Sequence, residues 1–194
     1  MKYLSPALVL TAALMMQTQI AYAGSITFMG TLSGANEVPP TSSLGTGVVT
    51  VILDPASQTL EEKVNFSNLT TPDTMAHIHC CAPLGTNVGV ATAIPALPGF
   101  PLGVTSGTFD QTFSLTDAAF YNPAFVTANG GTVAGAEATL VAGIEAEHAY
   151  FNIHSPTDPS GEIRSQLFQV PEPSTFALLG SALFGFGLMR RRRG

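Results

Sequence analysis

The sequence predicts a mainly β fold, an antiparallel sandwich or barrel carrying a small helical insertion. Three observations lead there. Short segments rich in β-branched and aromatic residues alternate apolar with polar along most of residues 24–170. Clusters of Gly, Pro, Asn, Asp and Ser separate them at short intervals. Three segments also share one pattern, His77-Ile78-His79, Asn152-Ile153-His154 and Glu162-Ile163-Arg164. On strands, the period of two sends each isoleucine to one face and its polar neighbours to the other.

In chain order, Ile26 and Phe28 open the first strand, and Leu32 to Pro40 breaks it with glycine and paired prolines. Gly47 to Leu53 is a second strand, ending at the turn Asp54-Pro55-Ala56-Ser57. Leu60 to Phe66 alternates imperfectly, because Glu62 shares parity with Leu60, Val64 and Phe66, and is expected as an exposed edge strand. The histidine strand follows a turn at 68–74. Val88 to Ile94 is a further strand candidate, and Thr105 to Leu115 another, with Phe109 and Phe113 on one face.

The helical part comes next. Thr116 or Asp117 can N-cap a turn at 118–121, Asn122-Pro123 places proline at a first helical position, and Gly130-Gly131 ends that piece. Ala134 to Glu147 is alanine-rich and expected to be a second helix. Tyr150 to His154 and Gly161 to Phe168 return to strand. About six residues join them, so they are expected to form an antiparallel hairpin with His154 near Glu162 and Arg164.

Both ends read as sorting signals. Lys2, an apolar run from Leu8 to Met16 and Ala21-Tyr22-Ala23 form a secretory signal peptide over residues 1–23, to be removed by signal peptidase. At the other end, residues 170–194, Pro171-Glu172-Pro173 precedes an uncharged segment, Ser174 to Met189, and then Arg190 to Arg193. A short apolar run closed by arginines reads as a marginal transmembrane helix with a cytoplasmic basic end. The order of parts resembles the PEP-CTERM sorting signal of Gram-negative bacteria. That resemblance implies an exosortase as partner, transient membrane anchoring through residues 174–189, removal of the tail, and delivery to the outer surface or extracellular matrix.

Between these ends, residues 24–169 suffice for one domain with a core. Lys63 and Arg164 are its only Lys or Arg, against five Asp and seven Glu. So acidic a body argues against nucleic acid and anionic lipid as partners. Cys80 and Cys81 are adjacent, and neighbouring Cα atoms lie closer than the usual disulfide range. A vicinal bridge, two free thiols and intermolecular pairing all stay open.

The polar members of the three isoleucine strands, His77, His79, Asn152, His154, Glu162 and Arg164, are expected to pool on one face. That cluster supports three readings. A structural network would satisfy these groups mutually, with Glu162 and Arg164 as a charged pair. A metal site would use His77, His79 and His154 as a facial set for copper or zinc. His-x-His strands of Cu/Zn superoxide dismutases are similar, whereas Arg164 beside the site would oppose a cation. Acid–base catalysis would need a dyad such as His–Glu; Ser155 points away from His154, and no nucleophile elbow is present. His148 has the parity to join the histidines, but is expected to cap the preceding helix.

Four motifs in order carry a second resemblance. Leu32-Ser-Gly-Ala-Asn-Glu-Val-Pro-Pro40, Ala76-His-Ile-His79, Ala149-Tyr-Phe-Asn-Ile-His-Ser155 and Gly161-Glu-Ile-Arg164 resemble the signatures of the CHRD domain. That module is named after chordin, an extracellular antagonist of bone morphogenetic proteins, and occurs in many exported bacterial proteins. The resemblance implies a β-rich extracellular module, with an immunoglobulin-like or Cu/Zn-superoxide-dismutase-like sandwich or barrel as the expected shape. Cys80-Cys81 stands where a Gly-Pro type turn is usual, and Ser165 where glycine is common. The expected function is therefore a non-enzymatic binding or structural component of the surface or matrix, with an extracellular polysaccharide or protein as partner. A copper- or zinc-binding protein, superoxide-dismutase-like in character, is the alternative.

Overall fold

The computed structural model describes residues 24–171. The expected signal peptide, the apolar segment Ser174 to Met189, and Glu172 and Pro173 lie outside the described residues. Pro171 is the last of them and is exposed.

Among the described residues, eight strands form one antiparallel sheet that curls into a half-barrel. They are β1 (Ile26–Ser33), β2 (Thr46–Asp54), β3 (Thr59–Ser67), β4 (Met75–Cys80), β5 (Gly107–Ser114), β6 (Ala149–His154), β7 (Ile163–Gln166) and β8 (Phe168–Gln169). The spatial order is β4-β6-β7-β1-β2-β3-β5, with β8 added to β1. Two helices, α1 (Pro123–Ala128) and α2 (Val133–Glu145), connect β5 to β6. The mainly β architecture with a helical insertion is thus as the sequence predicts.

Local chemistry explains the helix starts. Asn122 caps α1 by accepting from the Ala124 N–H, with proline at the first position, and Thr132 caps α2 by accepting from the Gly135 N–H. Asp117 likewise caps the short 3-10 turn Ala118–Phe120. Helix α2 buries Ala136, Leu140 and Ile144 against β4 and β6.

Ile78, Ile153 and Ile163 are fully buried on three adjacent strands, so the shared pattern does mark one core face. Phe28, Leu32, Val51, Leu60 and Phe151 extend that core along the sheet. At roughly 2 kcal/mol for each buried large aliphatic side chain, this face dominates stability.

Two expectations are corrected. Strand β3 is not an edge; it pairs with β2 on one side and β5 on the other. Glu62 is therefore fully buried within a core row, facing Val51 and Gln111 across the ladders. The region Val88 to Ile94 is not a strand. It follows the free edge of β4 through single bridges, with the Ala91 and Thr92 N–H groups both bonding the Ile78 carbonyl.

The cysteines are joined as a vicinal disulfide across a cis peptide bond. Both sulfurs lie against Gly143 of α2, on the core side of the sheet, where a Cβ would overlap them.

Candidate metal centre

Strands β4, β6 and β7 are neighbours, so their polar residues form one patch on the face turned away from the core. In the ladder His77 faces Asn152, which faces Arg164, while His79 faces Tyr150. Loops close over this patch, because a buried imidazole or amide needs partners that the sheet alone does not supply. His77, His79, Asn152, His154 and Arg164 are all buried, at 1 to 8% exposure.

The three histidines converge. Ring centroids stand 4.8 Å apart for His77 and His79, 4.7 Å for His77 and His154, and 5.8 Å for His79 and His154. Their ligand nitrogens all lie within 4.8 Å of one another. A trigonal or tetrahedral ion with metal–nitrogen distances near 2.0 Å needs about 3.5 Å between nitrogens, so binding draws the rings together by at most roughly 1 Å.

Each ring is held by a backbone carbonyl at Nδ1. His77 meets the Pro95 oxygen at 3.3 Å, His79 the Val88 oxygen at 2.7 Å, and His154 the Pro159 oxygen at 3.1 Å. A carbonyl only accepts, so each Nδ1 carries the proton and each Nε2 presents a lone pair. All three Nε2 atoms are buried without a hydrogen-bond partner. A carbonyl fixing the far nitrogen is also the usual outer support of a metal-bound histidine.

Electrostatics keep these rings neutral. Burial, then the neighbouring His154 and His79, push His77 down to about 3. Burial pushes His79 down to about 4, against the Val88 carbonyl, which favours its protonated form. Burial also lowers His154. Neutral imidazole is the form that binds metal.

Arg164 makes no hydrogen bond to the three Nε2 atoms, although its charge reaches His79 and helps to lower that ring's pKa. Its guanidinium lies over the Tyr150 ring, 4.2 Å from the centroid, and donates to Asn87 Oδ1 at 2.7 Å. Tyr150 in turn stacks on His79, with centroids 4.6 Å apart and planes within 8°. Because β6 runs between β4 and β7, the tyrosine ring is interposed between cation and histidine.

Glu162 and Arg164 do not pair. Glu162 Oε1 accepts from Ser43 Oγ at 2.7 Å and from the Thr70 N–H at 2.5 Å. Burial alone would raise its pKa, but hydrogen bonds from Ser155, Thr70 and Ser43 outweigh burial and hold it below the ordinary range. His148 is exposed just past α2, outside the converging group.

Glu37 joins the patch without any periodic signal to announce it. It is 5% exposed, and burial raises it to about 7 even though Arg164 and the Asn152 amide favour its charged form. The loop that carries it is pinned by Asn36, whose amide donates to the Thr31 and Arg164 carbonyls. Asn87, which receives Arg164, also donates to the Val38 carbonyl. The first motif of the sequence is thus a cover for the polar face; only its position beside a glycine and two prolines hinted at a fixed loop.

Fold and site together define a β-rich module whose outer sheet face holds a buried triad of imidazoles. Residues 28–167 match the family model of the CHRD domain, and the chain belongs to that family. Residues 169–193 match the PEP-CTERM protein-sorting motif, which implies export, surface sorting as in Gram-negative bacteria, and processing by an exosortase. No curated protein and no solved structure matches the chain.

Proposed function

We propose that this exported CHRD module is a binding component of the cell surface or extracellular matrix whose bound species is a transition-metal ion, copper or zinc, held by His77, His79 and His154. One observation carries the reading. Three buried Nε2 lone pairs converge without partners while every Nδ1 is fixed by a carbonyl. A network built only for structure would leave such atoms paired, since each unsatisfied buried acceptor costs about 1–3 kcal/mol.

Arg164 is stacked on Tyr150 and donates to Asn87, and none of the three Nε2 atoms bonds to it. The six-residue cluster divides in this reading. The histidines hold the ion; Arg164 holds the loop at Asn87, Asn152 hydrogen-bonds Glu37, and Glu162 ties the start of β7 to the loops at Ser43 and Thr70.

Elemental analysis of the full-length protein, purified without chelator and dialysed against copper or zinc, tests it. One equivalent per chain is expected for the native protein and none for His77→Ala or His154→Ala. Absence of stoichiometric metal in the native protein, with both variants merely less stable, would overturn the reading.

A further inference from the structure

Strand β4 carries Met75, His77 and His79 at every second position. The period of two places the Met75 thioether on the face of the two imidazoles. The β4–β6 ladder agrees, since Met75 is paired directly with His154. Directly opposed residues in an antiparallel pair share a face, with Cβ atoms about 4.5–5.5 Å apart. Met75 is therefore next to His77 along the strand and next to His154 across it. It is also only partly buried, which leaves its unbranched side chain room to turn.

The charge of the donor set is equally informative. Among the described residues the converging group contains imidazoles alone, with no carboxylate or thiolate. Glu162 is engaged by Ser43 and Thr70, and the two cysteine sulfurs are bonded to each other on the core side. Among the described residues, the Arg164 cation stacks on Tyr150, the same ring that stacks on His79. Neutral donors themselves offset none of a bound ion's charge, and the cost of burying an ion rises steeply with its charge. A monovalent ion is favoured over a divalent one. Thioether sulfur is a soft donor that selects Cu(I).

We infer that the site is selective for cuprous ion and that Met75 supplies a thioether ligand beside His77, His79 and His154. This inference rests on the three histidines being a metal site, as proposed above. It adds the identity and oxidation state of the ion, and a fourth donor.

The test is anaerobic titration of the full-length protein with Cu(I) against a competing cuprous chelator, with Zn(II) titrated in parallel. Ascorbate maintains Cu(I), since a thiol reductant would also attack the Cys80–Cys81 bond. Met75→Leu, similar in volume but without sulfur, is expected to weaken Cu(I) at least tenfold while changing Zn(II) less than threefold. Selenomethionine-labelled protein is expected to show a copper–selenium scattering path in X-ray absorption, lost in the Leu variant. Zinc bound as tightly as Cu(I), or Cu(I) affinity unchanged in Met75→Leu with no selenium neighbour, overturns the inference and leaves the histidine site standing. Binding of neither ion overturns both.

Discussion

Tyr150 is stacked between Arg164 and His79: the guanidinium lies 4.2 Å from the ring centroid, and the imidazole centroid 4.6 Å from it with its plane nearly parallel. The stack joins three adjacent strands through one ring. It lets a buried cation share a sheet face with three imidazoles without contacting their free nitrogens. Arginine suits the place because its planar, weakly hydrated head can stack and donate together.

Arg164→Gln should therefore destabilise the fold by about 2–4 kcal/mol, since it strands Asn87 Oδ1 and removes the charge opposite Glu37. Arg164→Lys should recover little of that, because an ammonium cannot stack and donate from the same plane. Urea denaturation checks both, and a Lys variant as stable as the native protein would refute the stacking role.

The metal-free protein should lose stability as pH falls. His77, His79 and His154 have folded pKa values below 6.5, so between about 6.5 and about 3–4 the unfolded chain binds more protons. Their contribution is complete above 6.5 and is lost progressively toward pH 3. Thermal melting from pH 7.5 to 4 should show a steep acid limb, and His77→Asn should make it shallower. An acid limb unchanged by that substitution would contradict the assignment.

Glu62 should act in the opposite direction. It lies fully buried among Leu60, Val64 and Val51, neither carboxyl oxygen has a partner, and burial raises its pKa to about 8. Its contribution is complete below the ordinary 4.5 and falls by up to about 1.4 kcal/mol per pH unit until pH passes about 8. Glu62→Gln should flatten the alkaline limb of the stability profile, and Glu62→Leu should also raise stability at pH 7.5. An unchanged alkaline limb in both would show that Glu62 does not titrate in this range.

Metal should stabilise by mass action. At a free ion concentration a hundredfold above Kd, the gain is about 2.7 kcal/mol, visible as a higher Tm that chelator reverses. His154→Ala should abolish the shift, whereas Asn152→Ala should lower the baseline Tm and keep it.

Gly143→Ala should cost roughly 1–3 kcal/mol, because its Cβ would overlap both sulfurs of the Cys80–Cys81 disulfide. Ala142→Ser, one position away on a more exposed part of α2, is the control expected to change Tm little.

The isoleucine pattern was legible in the sequence because strand parity is a local rule. Ile78, Ile153 and Ile163 had to share a core face if their strands paired, and the polar residues beside them had to share the other. The capped helix starts at Asn122 and Asp117 were legible for the same reason, as their hydrogen bonds close within a few residues. Parity could not reveal strand order. That order made β3 an interior strand and buried Glu62, where an imperfect alternation alone suggests an exposed edge. The approach of loops was equally beyond it. The Pro95, Val88 and Pro159 carbonyls that fix the histidine tautomers come from 18, 9 and 5 residues away. Glu37 and Asn87 reach the polar face only through long-range packing, and the same packing turns Glu162 away from Arg164. Alternation along each strand therefore assigns which side chains share a face. The tertiary structure decided which are buried, which are paired, and which three nitrogens keep their lone pairs free, because those properties depend on contacts made across the sheet and its covering loops.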